Sequence, residues 1–146
     1  MISVCIATYN GAKFINEQID SILPQLGFDD EIVISDDGST DACVEMIKNI
    51  PDHRIHLFNN TKRHGFVENF ENALMNCKGD YIFLCDQDDV WNINKVEIIL
   101  SYLKTYDLVV HDAEIVNEKL KPLGKNYYST LHHSEKFIAN LYKTRF

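Results

Sequence analysis

Three carboxylates, Asp86, Asp88 and Asp89, fall within four positions, directly behind the apolar run Tyr81-Ile82-Phe83-Leu84-Cys85. A run of that length and composition predicts a buried strand. If the chain stays extended past Cys85, Asp86 and Asp88 project to one side and Asp89 to the other. Two carboxylates about 4 Å apart repel by roughly 4 kcal/mol at an effective dielectric near 20, a sizeable share of a domain's stability. A hard divalent cation, Mn2+ or Mg2+, would neutralise them, because such ions take oxygen ligands and are commonly held by one or two carboxylates together with substrate phosphates. On this reading the stretch is a metal-diphosphate site at the carboxyl end of a strand. A second reading is a solvated acidic turn ahead of a helix, where aspartate is favoured as a cap and by the helix dipole. These residues alone leave both open.

The elements that must position the acids alternate. Ile2 to Thr8 (ISVCIAT) is an uninterrupted β-favouring run, as expected of a strand covered on both faces. Tyr9-Asn10-Gly11 breaks it, and Phe14, Ile15, Ile19, Ile22, Leu23 and Leu26 then recur at helical spacing over Lys13 to Leu26, with Pro24 near the end. Glu31 to Ser35 is a second strand. It runs into Asp36-Asp37-Gly38-Ser39-Thr40-Asp41, a turn leading to a helix with Ser39 or Thr40 as its cap, Val44 and Ile47 inward, and a stop before Pro51. Arg54 to Phe58 predicts a third strand, followed by the polar loop from Asn59 to Gly65. A helix with Phe66, Phe70 and Leu74 on one face comes next, closed by Lys78-Gly79. The acidic strand then leads to a helix carrying Val96, Ile99, Leu100 and Leu103, and to a fifth strand from Asp107 to His111. Beyond it, Ala113 to Val116 is a short strand, Lys119 to Lys125 a polar turn, and Ser134 to Tyr142 a helix. The alternation predicts an α/β fold, a mostly parallel open sheet with helices on both faces.

With 146 residues, the length is that of a single domain over residues 1–146, and the 45% hydrophobic and 25% charged composition is that of a soluble globular chain. The net charge of -8 argues against nucleic acid as a partner, since no Lys/Arg-rich stripe is present to meet a phosphate backbone. Much of that acidity is local, in Asp36, Asp37 and Asp41 and again in Asp80, Asp86, Asp88 and Asp89. Cys5, Cys43, Cys77 and Cys85 show no CxxC spacing, and read as buried reduced thiols of a cytosolic protein rather than disulfides or zinc ligands. No apolar run approaches the roughly 18 residues of a membrane span, and Met1 leads straight into a strand with no signal peptide. The expected location is cytoplasmic, with peripheral attachment at the inner face of the membrane left open.

Ligands of open α/β sheets bind beyond the carboxyl ends of the strands. The loops at that edge, Thr8 to Gly11, Asp36 to Ser39, Asn59 to Gly65, Asp86 to Asp89 and His111-Asp112, are all polar and two are acidic, which favours the metal reading of Asp86 and Asp88. Three of these segments, Ser3-Val4-Cys5-Ile6-Ala7-Thr8-Tyr9-Asn10-Gly11, Ser35-Asp36-Asp37-Gly38-Ser39-Thr40-Asp41 and Gly79 to Asp89, resemble in order and spacing the motifs of family 2 glycosyltransferases with the GT-A fold, over roughly Ile2 to Val116. Gly65-Phe66-Val67-Glu68-Asn69-Phe70 further resembles the rhamnosyltransferase-like branch.

The resemblance implies a Rossmann-like nucleotide-binding half and transfer of a sugar from a nucleotide diphosphate donor, UDP- or dTDP-linked, to a hydroxyl of a glycan or lipid-linked acceptor in cell-surface polysaccharide synthesis. It implies that Asp86 and Asp88 match the DxD motif, with Asp88 on the Mn2+ or Mg2+ ion and Asp86 at the ribose, sugar or metal. It places Gln87 beside them, Asp37 at the base edge, and Thr8, Tyr9 and Asn10 along the base pocket. Lys62 and Arg63 could assist the phosphates or be merely solvated. Asp36 reads as a turn cap, Asn69 and Asn72 as solvent-facing, Trp91 as a packing residue, and His111-Asp112 could approach the acceptor. The family's catalytic base has no match before Phe146. The expectation is therefore a chain truncated on its acceptor-binding side, and the alternative function is a non-catalytic nucleotide-sugar-binding module. A receiver-type phosphoacceptor is disfavoured, because the third strand ends in Leu57-Phe58-Asn59-Asn60 without an aspartate. A dinucleotide dehydrogenase is disfavoured because Gly11 stands alone where a glycine-rich cradle is required.

Overall fold

The computed structural model describes residues 1–61 and 64–130. The elements are β1 (Ile2–Thr8), α1 (Ile15–Ile22) continued by a 3-10 turn (Leu23–Gln25), β2 (Glu31–Asp36), α2 (Cys43–Lys48), β3 (Ile55–Asn59), α3 (Phe66–Leu74), β4 (Tyr81–Asp86), α4 (Lys95–Leu103), β5 (Glu114–Val116), β6 (Pro122–Asn126) and α5 (Tyr127–Thr130). Residues Met1–Ser101 form one compact unit and the chain from Tyr102 a second.

The first unit is built on a four-stranded sheet in the order β3-β2-β1-β4, with all three pairings parallel. Parallel neighbours need crossovers, and the intervening helices supply them. Every residue of β1 and β2 is buried, which is why both read as continuous apolar runs rather than alternating ones. Side chains alternate across the sheet, so the two faces have separate cores. On one face Cys5, Val33 and Ala73 form a cluster with Phe58, Phe70 and Cys77, placing α3 against β1 and β2. Cys85, which pairs in register with Ile6, points to the other face and receives the Gln18 amide of α1. Helices therefore cover both faces, as expected.

β4 enters the sheet at a close approach. A Cβ at Gly79 would stand 2.6 Å from the Ser3 nitrogen and 2.8 Å from the Ile2 carbonyl carbon, so only glycine fits. The buried Glu31 carboxylate fixes this crossing by accepting from the Ser3 hydroxyl (2.6 Å) and the Lys78 amide (2.7 Å). All four cysteines are free thiols, and burial pushes the Cys85 thiol up to about 12.

Several local expectations need correction. The first helix is shorter than the apolar spacing suggested, its last turn tightening into the 3-10 form around Pro24. Helix α2 starts at Cys43 with no side-chain cap on its N-cap residue Ala42; Ser39 and Thr40 instead serve the loop before it. In α3 the inward face is Asn69, Phe70 and Ala73, while Phe66 and Leu74, expected to share that face, are 53% and 37% exposed. Asn69 and Asn72 do not face solvent as expected. Asn69 is buried and donates to the Thr8 carbonyl (3.1 Å), and Asn72 donates to the Ser35 hydroxyl (2.8 Å).

The second unit departs further. Residues 107–111 form no strand, and Leu108 and Val110 are 70% and 69% exposed. A short apolar run does not make a strand without a ladder partner, and it pairs with none among the described residues. The expected short strand is present as β5, but the region read as a polar turn contains β6, which pairs antiparallel with β5 and ends against α5. The helix expected over Ser134 to Tyr142 lies outside the described residues.

Candidate active site

The strand order reverses at β1: β2 and β3 extend to one side, β4 to the other. A crevice opens at such a switch point beyond the carboxyl ends of the strands. In register, Thr8 stands beside Asp36, Asp36 beside Asn59, and Ala7 beside Asp86. The loop carrying Asp37 and the loop carrying Asp86, Gln87 and Asp88 thus flank the end of β1, about two strand spacings or 10 Å apart.

The floor of this edge is made by residues whose side chains are consumed internally. Thr8 is fully buried, its hydroxyl donating to Asp36 Oδ2 (3.1 Å). Asp36 Oδ1 accepts from the Gly38 (3.1 Å) and Ser39 (2.9 Å) amides, and its Oδ2 also accepts from the Ser39 hydroxyl, which makes it the turn cap that was expected. Asn10, held at a φ of 52°, accepts at Oδ1 from the Thr40 amide (2.8 Å) and hydroxyl (3.2 Å), while its own amide donates to the Ser39 hydroxyl (2.8 Å). Asp41 accepts from the Ala12 amide (2.9 Å). The β1 and β2 loops are one hydrogen-bonded body. Tyr9, just past the end of β1, is 55% exposed.

Asp37 faces differently from its neighbour. Its Oδ1 accepts from Asn60 Nδ2 (2.8 Å) and His64 Nδ1 (2.9 Å), and its Oδ2 accepts from the Gly65 amide (2.9 Å). Burial acts to raise the carboxyl, but the Gly65, His64 and Asn60 donors outweigh it and hold the group below the ordinary aspartate range. An ionised, acceptor-only group is thereby kept at the end of β2.

On the other side of β1, Gln87 closes both ends of its amide on Tyr9: Oε1 accepts from the Tyr9 amide (2.9 Å) and Nε2 donates to the Tyr9 carbonyl (3.2 Å). Gly11 leaves room for this contact, since a Cβ there would overlap Gln87 Oε1 and displace the side chain. Gln18 of α1 donates to the Asp86 carbonyl and fixes the last residue of β4 from beneath. Trp91 is buried, as expected of a packing residue, with its indole N–H on Cys85 Sγ (3.0 Å) and the Lys95 ammonium 4.3 Å from its ring centre.

Desolvation, and after it the charges of Asp89 and Asp88, raise the Asp86 carboxyl above its ordinary range. This is the electrostatic problem that a divalent cation solves, and the oxygen donors of Asp86 and Asp88 suit Mn2+ or Mg2+. Among the described residues no three acidic, histidine or cysteine side chains converge on one point. The residues fit a metal held by a carboxylate pair and completed by phosphate oxygens, not a closed protein cage. Lys62 and Arg63 lie outside the described residues. His111 and Asp112 belong to the second unit, where Asp112 Oδ1 accepts from the Ala113 (2.9 Å) and Tyr128 (2.8 Å) amides.

The sequence model described as Glycosyl transferase family 2 matches residues 3–145, nearly the whole chain. The chain belongs to this family. Glycosyltransferase GlyA of Streptococcus pneumoniae is 31% identical over 99% of the chain and 22% of its own length. The Escherichia coli UDP-Glc:alpha-D-GlcNAc-diphosphoundecaprenol beta-1,3-glucosyltransferase WfaP is 34% identical over 72% of the chain and 42% of its own length. Among solved structures, the mannosyltransferase of Pyrobaculum calidifontis in complex with GDP-Man and Mn2+ superposes with a TM-score of 0.65 at 25% identity, covering 80% of this chain and 35% of that one. The GT-A architecture that the motif resemblance implied is therefore shared. The chain spans less than half the length of these curated relatives.

Reading the family 2 glycosyltransferase motifs alone named Asp37, Asp86 and Asp88 as candidates, and the structure places them at the carboxyl ends of β2 and β4. That reading missed Asn60, His64, Gln18 and Asn69, which hold those residues or their backbone in place. The polar loop after β3 was the available signal for the first two. For Gln18 the signal was a polar residue at i, i+3/i+4 spacing among inward isoleucines.

Proposed function

We propose that this chain supplies the donor site of a metal-dependent glycosyltransferase, which moves a sugar from a nucleotide diphosphate to a hydroxyl of a glycan or lipid-linked acceptor in surface polysaccharide assembly. The observation that carries the reading is the placement of Asp37 and of the Asp86/Asp88 pair in one compact unit, on the two loops that flank β1 at its switch point. The names of relatives support the donor and acceptor classes: one uses UDP-Glc on a diphosphoundecaprenol-linked sugar, and a structural neighbour holds GDP-Man with Mn2+.

Each residue has a task in this proposal. Asp37 accepts an N–H from the base. Tyr9 offers a ring for stacking. Asn10, Ser39 and Thr40 keep the base loop closed on β1, and Gln87 with Gln18 holds the acidic loop at a fixed height above the sheet. Asp86 and Asp88 would hold the ion; when bound it acts as a Lewis acid on the departing diphosphate, whose developing charge is the main electrostatic barrier.

Titration of UDP-glucose into the protein with and without Mn2+ tests the reading. Metal-dependent binding that is lost in Asp88→Ala is expected; binding indifferent to both the ion and the substitution would overturn it. Sugar transfer to a lipid-linked acceptor by this same chain separates a complete transferase from a module that binds the donor only.

A further inference from the structure

The helix that follows the acidic loop begins on a cation. Lys95 is half-buried and is the first residue of α4, where the unpaired amides of a helix N-terminus repel positive charge. Burial pulls its ammonium below the ordinary lysine range, and the groups that oppose this are Cys85 and Asp89. Cys85 carries no charge at neutral pH, since burial pushes its thiol up to about 12, so the charge that favours the ammonium there is that of Asp89. The cation is nonetheless fixed in place. Lys95 Nζ lies 4.3 Å from the centre of the Trp91 ring, a distance at which the ring face attracts it. The ring is itself immobilised: Trp91 is buried, its indole N–H donates to Cys85 Sγ (3.0 Å), its main-chain amide donates to the Ser21 hydroxyl of α1 (3.0 Å), and Phe83 packs on it with 5.5 Å between ring centres. Asp89 stands two residues ahead of Trp91, within about 7 Å along the chain. The loop that leaves β4 thus folds back over a cation of its own.

We propose that Lys95 is a specificity-determining residue: held on Trp91, its ammonium is an internal counter-charge to the acidic loop, and it makes the loop favour a divalent ion that already carries a diphosphate over the bare ion. This deepens the donor-site reading above and rests on it. The loop holds Asp86, Asp88 and Asp89, and after desolvation the charge of Asp89 acts most strongly on Asp86. A bare dication binds more tightly the more negative the loop is. A nucleoside diphosphate on the same dication makes a net anionic complex, which binds more tightly the less negative the loop is. One fixed cation behind the loop therefore moves the two affinities in opposite directions. Its seat on a ring face also leaves the carboxylate oxygens of Asp86 and Asp88 to the ion, which an ammonium bonded directly to them would occupy.

Two titrations on wild type, Lys95→Met and Lys95→Arg test the assignment. Binding of Mn2+ alone is read from the loss of the free-ion electron paramagnetic resonance signal, and binding of UDP in saturating Mn2+ is read by calorimetry. Methionine keeps a contact with the ring and removes the charge; arginine keeps both. In Lys95→Met, bare Mn2+ should bind about threefold more tightly and UDP with Mn2+ about threefold more weakly, the effect of one unit charge acting through a partly solvated path. Lys95→Arg should stay within about twofold of wild type in both titrations. Should Lys95→Met fail to fold by circular dichroism, Lys95→Gln carries the same expectations. Two affinities that fall together would mark Lys95 as a packing contact only, and two that do not move would show that its charge is not felt. Either result overturns the assignment and leaves the donor-site reading intact. Wild type that binds neither Mn2+ nor UDP would overturn both.

Discussion

Two adjacent aspartates at the end of β2 have opposite fates, and the inner one can be removed to measure what the edge costs to hold together. Asp36 is 2% exposed and accepts four hydrogen bonds, from the Thr8 and Ser39 hydroxyls and from the Gly38 and Ser39 amides. In Asp36→Ala the Gly38 and Ser39 amides lie near enough to the surface for water to replace the carboxylate. The Ser39 hydroxyl and the fully buried Thr8 hydroxyl are less easily compensated, although Thr8 keeps a weaker contact to the Ser35 carbonyl at 3.4 Å. Hydrogen bonds to a charged acceptor contribute about 1.5–3 kcal/mol each, so the two poorly replaced bonds sum to at least about 3 kcal/mol. For a chain of this size that is a fall of about 10 °C in melting temperature. Thermal melts followed by circular dichroism and urea titration provide two independent readings. Because Asp36 also anchors the turn that presents Asp37, UDP binding should weaken even well below the melting point. A loss of less than about 1 kcal/mol would refute the reasoning, since it would mean that the loop keeps its shape without its central acceptor.

Two further outcomes follow from contacts elsewhere. Gly11→Ala places a methyl group against Gln87 Oε1 and should destabilise the protein by about 1–2 kcal/mol. In a double-mutant cycle with Gln87→Ala the two effects should fall short of additivity by about 1 kcal/mol, and strict additivity in urea unfolding would contradict the clash. The Arg54 guanidinium, bonded to Asp52 through Nη2 at 2.7 Å and Nε at 2.9 Å, holds the Asp52 carboxyl down at about 2. A carboxyl depressed in the folded state contributes stability above its unfolded value near 4 and loses it as pH falls toward 2. Wild type should therefore exceed Asp52→Asn by about 1 kcal/mol at about pH 7, a figure kept low because the carboxylate is one-fifth exposed, and the gap should close near about pH 2. A gap that persists at the acid end would show that the pair is not its source.

The sheet and its acidic edge were legible in the chain because each signal there is local. The continuous apolar runs of β1 and β2 follow from burial on both faces, and Asp37, Asp86 and Asp88 sit directly behind strands. What was not legible depends on partners distant in sequence. Asn69 reads as a surface residue of an amphipathic helix until the Thr8 carbonyl, 61 positions away, is placed opposite it. Gln18 and Gln87 likewise find their partners 68 and 78 positions away. The run from Asp107 to His111 failed for the complementary reason. Its composition favours a strand, but a strand is a property of two segments, and composition describes only one.

The pairing of Gln87 with Tyr9 has a mechanical consequence. Its amide offers the same donor and acceptor as a peptide group and takes both backbone positions of Tyr9, so it acts as one more rung of the ladder after the main chain of β4 has turned away. The main chain beyond Asp86 is thereby released from sheet geometry without leaving β1 unzipped. A loop mounted in this way leaves the ladder at Asp86 while β1 stays bonded one residue further, at Tyr9.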